Sequence, residues 1–220
     1  MKKLQRLLAQ GGIAVALLAG GEALAGEAGE NVSGKNPLPT VTVSAAHLLE
    51  DRFLGKADAP LTVIDYSSLT CPHCADFHTQ ILPKLKAHYI DTGTVRFIYR
   101  DFPLEPIATA AAMLARCAPP EMYFRFLDAL FGSQKTWSKA QKPREALVTL
   151  ARLGGMTETD VAQCLDNQAL LNGLTAMKNE AVQQHGIKAT LSLVIGGRTH
   201  VGVGSYDALV TLIENALPKQ

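Results

Sequence analysis

Two cysteines, Cys71 and Cys74, are the residues of this sequence whose type and spacing most clearly suggest chemistry. They lie in the stretch SSLTCPHCADFH, after a β-branched apolar run and at the start of a pattern with helical spacing. Thiols three residues apart on one helical turn can close into a disulfide without large backbone movement. Because Cys71 is predicted at the helix N-terminus, free N–H groups and the helix dipole should stabilise its thiolate and lower its pKa.

The two residues between the cysteines are compatible with this redox interpretation. Pro72 is tolerated in the first turn of a helix, where its missing N–H costs nothing. The side chain of His73 would add a hydrogen-bond donor or a positive charge if it pointed at Cys71. Both residues therefore count as supporting members of a predicted catalytic motif.

A metal site and a structural disulfide are the other functions that a cysteine pair can have. A zinc site needs about four ligands, usually from two such pairs, whereas Cys117 and Cys164 are single cysteines in helical contexts. His78 could add a ligand, but histidines at helical spacing more often pack or face solvent. A structural disulfide does not normally place both cysteines on one exposed helical turn. The spacing favours redox chemistry, and no metal site is predicted.

The N-terminus has the pattern of a cleavable secretory signal peptide over residues 1–25. Three basic residues precede a short apolar run, and an Ala-Leu-Ala cleavage pattern ends at Ala25. The apolar run is well short of the ~20 residues of a membrane span. Residues 26–50 begin with a tract rich in Gly, Glu, Asn, Ser and Pro and are predicted to form a disordered leader.

Composition limits the classes of function. The formal net charge is +1 and no basic stripe is present, which argues against a nucleic-acid partner. Four cysteines in an exported chain suit two disulfides, although three connectivities are possible. About 195 residues follow the predicted signal, enough for one sizeable core.

Hydrophobic periodicity predicts an α/β fold. Strand patterns occur at residues 61–66, 94–99, 193–195 and 199–203, and helical patterns at 71–89, 106–184 and 206–217. This β-α-β and β-β-α order predicts one mixed sheet with helices on its faces and an inserted all-helical domain. The predicted boundaries are 51–104 and 186–220 for the two parts of the sheet domain and 105–185 for the insert. The cysteine pair falls at the strand-to-helix edge where α/β sites form.

Asp65 interrupts the otherwise apolar first strand. The two-residue period of a strand places it on the same side as Leu61 and Val63. A buried carboxylate there could take a proton from Cys74. The alternative is that Asp65 ends the strand and bonds local N–H groups. We predict the functional role, because a buried acid needs a compensating interaction.

Three stretches, LTVIDYSSLTCPHCADFH, VRFIYRDFPL and GIKATLSLVIGG, resemble the DsbA-type thiol:disulfide oxidoreductases of the periplasm. The resemblance covers about residues 53–217 and implies a thioredoxin-like fold with an inserted helical domain. It implies a periplasmic enzyme, without a cofactor, that donates its disulfide to reduced exported proteins. Cys71 would be the exposed nucleophile and Cys74 the buried partner, and a quinone-linked membrane protein would re-oxidise them. The family also carries an acid at the position of Asp65.

The resemblance breaks at Leu191. The family pattern has Thr followed by a cis proline beside the cysteine pair, whereas here Leu191 follows Thr190. Because a cis bond before a residue other than proline costs about 2.5–4 kcal/mol, we predict a trans Thr190–Leu191 bond. In the family this loop binds substrate through its backbone, and the proline helps to keep metals off the thiols. Leu191 therefore predicts a weakened oxidase or a thiol and metal-binding relative as an alternative function.

Cys117 and Cys164 each lie on an apolar helical face, in LARCA and VAQCL. They lack the spacing of a second catalytic pair, which leaves a structural disulfide or two buried free thiols. An oxidising compartment favours the disulfide, which would close a loop of about 48 residues.

Among enzymes, the alternative to an oxidase is a disulfide isomerase or reductase. The related periplasmic isomerases carry an added dimerisation domain. Residues 26–51 are too short and polar to form one, so a monomer is predicted.

Overall fold

A computed structural model of the chain describes residues 44–219, and a five-stranded mixed sheet lies at its centre. The strands are β1 (Arg52–Leu54), β2 (Leu61–Ser67), β3 (Val95–Asp101), β4 (Ser192–Ile195) and β5 (Arg198–Val201). Their order across the sheet is β1-β3-β2-β4-β5. β2 and β3 run parallel, and the other neighbouring pairs are antiparallel. This sheet confirms the predicted α/β class; β1 was not predicted.

The central strand β2 is covered on both faces. Leu61 and Val63 belong to the main core, together with the helices on that side of the sheet. Tyr66, on the opposite face, packs in a smaller cluster with Phe102 and Val194. A strand buried on both sides favours β-branched and aromatic residues, so the buried Asp65 is the exception that requires explanation.

The helix after β2 is continuous from residue 72 to residue 90 but irregular. Its segments are α2 (Pro72–Asp76), a π-helical turn (Phe77–Ile81), α3 (Leu82–Leu85) and a second π-helical turn (Lys86–Ile90). The helix starts one residue later than predicted, with Cys71 as its N-cap. Pro83 lies in the first turn of α3, directly after the first π-helical turn.

A block of helices separates β3 from β4, as the periodicity predicts. It contains α4 (Pro106–Cys117), a 3-10 turn (Pro120–Met122), α5 (Tyr123–Gly132), α6 (Gln134–Ser138), α7 (Pro143–Leu153), α8 (Glu158–Leu165) and α9 (Gln168–His185). A capping box opens α8, in which the side chains of Thr157 and Asp160 each accept from the other residue's backbone N–H. Helix α10 (Tyr206–Ala216) follows β5. None of the helices within residues 44–219 is long and apolar enough to cross a membrane.

The helical block and the sheet share one hydrophobic core. Leu114 of α4 and Leu127 of α5 belong to the same buried cluster as Val63 of the sheet. Both leucines have no exposed surface. The insert therefore contributes side chains to the interior beneath the cysteine motif.

The predicted disordered leader, residues 26–50, is wrong at its C-terminal end. Residues 45–48 form a short helix, α1 (Ala45–Leu48), capped by Ser44, and Leu48 is buried. The buried Arg116 of α4 donates to the carbonyl oxygens of Leu48 at 3.3 Å and Glu50 at 2.8 Å. These tertiary contacts order a segment whose composition alone predicts disorder. The predicted signal peptide and the rest of the leader lie outside the described residues.

The structure joins Cys117 at the end of α4 to Cys164 in α8 by a disulfide of 2.08 Å. This is the pairing that the sequence favoured over free thiols. The sulfurs lie 47 residues apart in sequence, and Cys164 is buried. The bond therefore ties together two helices of the insert.

Removing this disulfide by a Cys117→Ala/Cys164→Ala double substitution is expected to lower the free energy of unfolding by roughly 3–4 kcal/mol. The reason is that the cross-link restricts the unfolded chain over a long loop. Urea unfolding of the variant and the parent, both with the Cys71–Cys74 pair reduced, measures the difference. A loss below about 1 kcal/mol would show that the bond contributes little to stability.

Candidate active site

The cysteine motif lies at the C-terminal end of β2, where the chain enters α2. Cys71 is the N-cap with extended backbone angles (φ −78°, ψ 120°), and Pro72 follows in the first turn. Cys74 lies inside the helix and has no exposed surface, whereas Cys71 retains 6%. Both are free thiols in this structure. Cys71 is the more accessible sulfur, but it is buried where an exposed side chain was expected, and its sulfur lies 3.5 Å from the Thr190 carbonyl oxygen.

The surroundings of Cys71 stabilise its thiolate. A hydrogen bond from the Cys74 thiol is the main cause that lowers the pKa of Cys71 from 9.0 to about 5, although burial acts against it. The pKa of Cys71 is lowered further by a hydrogen bond from the Thr190 side chain and by the backbone N–H groups of Cys74 and His73. His73 contributes through its backbone, and its imidazole side chain is exposed. The backbone N–H groups at the helix N-terminus therefore supply this stabilisation, and a role for the His73 side chain stays a prediction.

Cys74 has the opposite character. Burial raises the pKa of Cys74 well above its ordinary value, and its hydrogen bond to the Cys71 sulfur and the charge of Asp65 add to the effect. Among these causes only the Ser67 hydroxyl lowers the pKa of Cys74, because a hydrogen bond from it favours the thiolate. The two sulfurs of one helical turn therefore differ strongly in acidity, with Cys71 the acidic member.

Asp65 lies within β2, paired with Tyr99 on one side and Leu193 on the other, and does not end the strand. Its carboxylate is fully buried. The Ser67 hydroxyl donates to Oδ1 at 2.6 Å, and His78 Nε2 lies 2.7 Å from Oδ2. The alternative that Asp65 bonds local N–H groups is therefore wrong, because side chains occupy both oxygens.

The loop before β4 brings Thr190 to the cysteine motif. The Cys71 thiol donates to the Thr190 carbonyl oxygen at 3.5 Å. The Thr190–Leu191 peptide bond is cis, so the predicted trans bond is wrong. The Leu191 side chain is buried, and its carbonyl accepts a hydrogen bond from Gly202 N at 2.9 Å. These contacts of the loop outweigh the general preference of a peptide bond for the trans form.

Comparisons with known proteins agree with this arrangement. A thioredoxin family model matches residues 48–215. A Rickettsia conorii protein named as a protein-disulfide oxidoreductase is 33% identical over 188 residues, 84% of this chain and 68% of the relative. A Rickettsia felis protein of the same name is 32% identical over 171 residues, 77% of this chain and 61% of the relative. The chain thus spans about two thirds or less of the length of these relatives.

The solved structure of Wolbachia pipientis alpha-DsbA1 superimposes with a TM-score of 0.70 at 30% identity, covering 82% of this chain and 92% of that one. The chain belongs to the DsbA-type thiol:disulfide oxidoreductases. The predicted thioredoxin-like fold with helices inserted in it is thereby confirmed for this DsbA-type protein.

Three buried polar residues of this DsbA-type site were not predicted from the sequence. Ser67 follows Asp65 by two residues on the same side of β2, and His78 follows Cys74 by four residues on one helical face. Both spacings can be read from the sequence, but the sequence does not indicate that the side chains of Ser67 and His78 both contact Asp65. The Gln134 amide of α6 donates to the carbonyl oxygens of Leu69 at 2.8 Å and Cys71 at 2.9 Å. No local pattern indicates this last contact, which crosses from the insert to the catalytic loop.

The metal alternative can also be compared with the geometry. Among residues 44–219, no group of three or more His, Cys, Asp or Glu side chains is arranged to hold a metal ion. His78, the additional ligand considered from the sequence, bonds Asp65 and stacks on Phe131 with 4.1 Å between ring centroids.

Replacing Thr190 with Val is expected to raise the pKa of Cys71 by about one unit. The Thr190 Oγ1 atom is buried and has no hydrogen-bond partner among the described residues, so its hydroxyl can donate to the Cys71 thiolate, and Val removes this donor. Thiolate absorbance against pH measures the shift. Thr70→Val is the matched control, because the Thr70 hydroxyl bonds Ser68 at 3.1 Å. Equal titration curves for the two variants would contradict the role of Thr190.

Proposed function

We propose that this protein is a protein-thiol oxidase that donates the Cys71–Cys74 disulfide to reduced exported proteins. The observation that carries the proposal is the difference in acidity between the two sulfurs. A thiol with a low pKa is a good leaving group in thiol–disulfide exchange, and its stable thiolate favours the reduced enzyme. Both effects favour transfer of the disulfide from the enzyme to a substrate protein.

The reaction takes two exchange steps. A substrate thiolate attacks Cys71 Sγ, the Cys71–Cys74 bond breaks, and its electron pair remains on Cys74, which then takes a proton. A second substrate thiolate attacks the substrate sulfur of the mixed disulfide and releases Cys71 as a thiolate. The substrate loses two electrons and gains a disulfide, and the enzyme ends reduced, with Cys74 as a thiol and Cys71 as a thiolate.

Each supporting residue has a proposed role in these steps. Pro72 starts α2 so that the N–H groups of His73 and Cys74 point at Cys71. Thr190 and Leu191 form the loop that contacts the substrate backbone beside Cys71, and Asp65 exchanges a proton with Cys74. The disulfide between Cys117 and Cys164 is structural.

The proposed partners follow from the chemistry and from the predicted signal peptide over residues 1–25. Reduced exported proteins are the substrates, in the periplasm. A quinone-linked membrane protein is the oxidant that restores the disulfide after each cycle. The protein is proposed to act as a monomer, without a cofactor, a metal ion or a nucleic-acid partner.

Oxidation and isomerisation assays on the same protein test this proposal against its alternatives. The purified oxidised chain is mixed with a reduced protein substrate, and the reduced chain with a scrambled-disulfide substrate and with insulin. We expect fast oxidation, slow isomerisation and slow insulin reduction. Faster isomerisation or reduction than oxidation would instead support an isomerase or reductase.

Metal analysis of the reduced protein tests the second alternative. The substitution at Leu191 motivates it, because this residue replaces the proline that the family pattern has beside the thiols. The oxidase proposal predicts no stoichiometric metal after purification. Stoichiometric zinc together with absent oxidation would support the metal-binding module.

A further inference from the structure

We propose that Ser67 relays the proton between Cys74 and Asp65, and that His78 positions Asp65 for this transfer. The inference rests on the proposed oxidase function and assigns roles to two residues that the cysteine motif does not contain. The low acidity of Cys74 is the reason that a proton donor is needed. Burial makes Cys74 a poor leaving thiolate, so exchange at Cys71 is slow unless Cys74 receives a proton as the bond breaks.

The Ser67 hydroxyl connects the two groups. It donates to Asp65 Oδ1 at 2.6 Å, and the same hydroxyl, turned towards Cys74, would favour the Cys74 thiolate by donating to it. Ser67 is 1% exposed, and Cys74 and Asp65 have no exposed surface. A hydroxyl both donates and accepts hydrogen bonds. The serine can therefore pass a proton between sulfur and carboxylate where bulk water has no direct access.

His78 holds the carboxylate from the other side. A carboxylate only accepts, so His78 Nε2–H donates to Asp65 Oδ2, across 2.7 Å. The imidazole is fixed in turn by stacking on Phe131, with ring centroids 4.1 Å apart. Its Nδ1 is buried and has no hydrogen-bond partner among the described residues. With Oδ2 occupied by His78, Oδ1 is directed to Ser67.

Other titratable side chains surround the pair on the elements packed against it. They are Tyr99 and Asp101 on β3, and Tyr123 and Asp128 on α5. Tyr99, Asp101 and Tyr123 interact electrostatically with Asp65, and Asp128 with His78. None of these four is hydrogen-bonded to Asp65, whose side-chain hydrogen bonds among the described residues go to Ser67 and His78.

The proton balance of the step is closed within these residues. In the oxidised enzyme, Asp65 Oδ1 carries the proton and donates to Ser67. When a substrate thiolate attacks Cys71, the electron pair of the broken bond stays on Cys74 Sγ. Ser67 gives its proton to that sulfur and takes the proton of Asp65. The products are a Cys74 thiol, a Ser67 hydroxyl and an Asp65 carboxylate; re-oxidation runs the same transfer in reverse.

A Ser67→Ala substitution in the full chain tests the relay. Single-turnover oxidation of a reduced peptide is expected to slow about 100-fold, the size of a lost general acid, and the solvent deuterium isotope effect is expected to change. Ser68→Ala is the matched control. Ser68 is equally buried, but its hydroxyl bonds Thr70. Ser67→Thr keeps a hydroxyl and is expected to restore most of the rate.

Combining Ser67→Ala with Asp65→Asn separates a relay from independent effects. If both residues serve one proton transfer, the double variant should be no more than about twofold slower than Asp65→Asn alone. For His78, the Gln variant retains a donor nitrogen and should keep the isotope effect, whereas the Leu variant should lose it.

Two results would overturn the relay while leaving the oxidase intact. One is equal rates for Ser67→Ala and Ser68→Ala, and the other is multiplicative loss in the double variant. A parent protein that does not oxidise the peptide would instead contradict the proposed function. Near-ultraviolet circular dichroism and unfolding curves identify variants that fail to fold. If Ser67→Ala fails to fold, the rate and isotope effect of Ser67→Thr are compared with those of the parent.

Discussion

A Cys71→Ser variant is expected to lose all oxidase activity, whereas Cys74→Ala should accumulate as a covalent complex with its substrate. In the proposed reaction the substrate attacks the Cys71 sulfur, and a serine oxygen cannot form the disulfide. Without Cys74, Cys71 can still exchange with an added small-molecule disulfide, and the resulting mixed disulfide can exchange with a substrate thiolate, but no neighbouring thiol resolves the enzyme–substrate disulfide. Non-reducing electrophoresis and mass spectrometry of the Cys74→Ala protein with a reduced substrate measure the trapped species.

The Cys117→Ala/Cys164→Ala variant is the control for this experiment, since its cysteine motif is intact. It should oxidise substrate and trap nothing. If Cys71→Ser retained activity, or if the trapped bond mapped to Cys117 or Cys164, the assignment of Cys71 as the reacting sulfur would be wrong.

The reduced protein is expected to lose stability relative to the oxidised protein as the pH falls from about 9 to about 5. Cys71 in the folded, reduced state has a pKa of about 5, below its ordinary value of 9.0. A group with a lowered pKa stabilises the fold above its unfolded pKa, and this contribution is lost as the pH falls towards the folded pKa. At pH 7 it amounts to at most about 3 kcal/mol, since solvent screens part of the charge.

Unfolding curves of both redox forms between about pH 4 and about pH 8 measure this difference, because a disulfide does not titrate. Thiolate absorbance should show a midpoint near pH 5 in the reduced protein. The reduced Cys71→Ser variant should show neither the absorbance change nor the pH-dependent stability. A midpoint close to 9 in the parent would remove the physical basis of the oxidase proposal.

Local pattern was sufficient to predict most of the elements and the position of the cysteine pair at the start of a helix after β2. The cysteine spacing, the strand over residues 61–66 and the helical period after Pro106 each depend on neighbouring residues in the chain. The buried acid was predicted as well, because a charged residue in an apolar strand is a conspicuous exception. These features depend on the spacing of side chains within a single element.

The partners of these residues could not be predicted, because they come from other elements. Asp65 lies on β2 and His78 on the following helix, and their contact depends on how that helix packs on the sheet. The cis bond before Leu191 and the ordering of α1 have the same origin. In both, contacts distant in sequence override the preference of the local segment. Arg116 illustrates this for α1, where one buried guanidinium fixes two carbonyl groups.

The two hydrogen bonds from Gln134 to the loop before α2 limit how this enzyme can be reduced in size or recombined. A trimmed version that lacks the helices between β3 and β4 would leave the Leu69 carbonyl without its donor and the Cys71 carbonyl with the Ala75 N–H as its remaining donor. It would also uncover His78, which loses Phe131. Grafting those helices from a relative is therefore expected to alter the reactivity of the thiols.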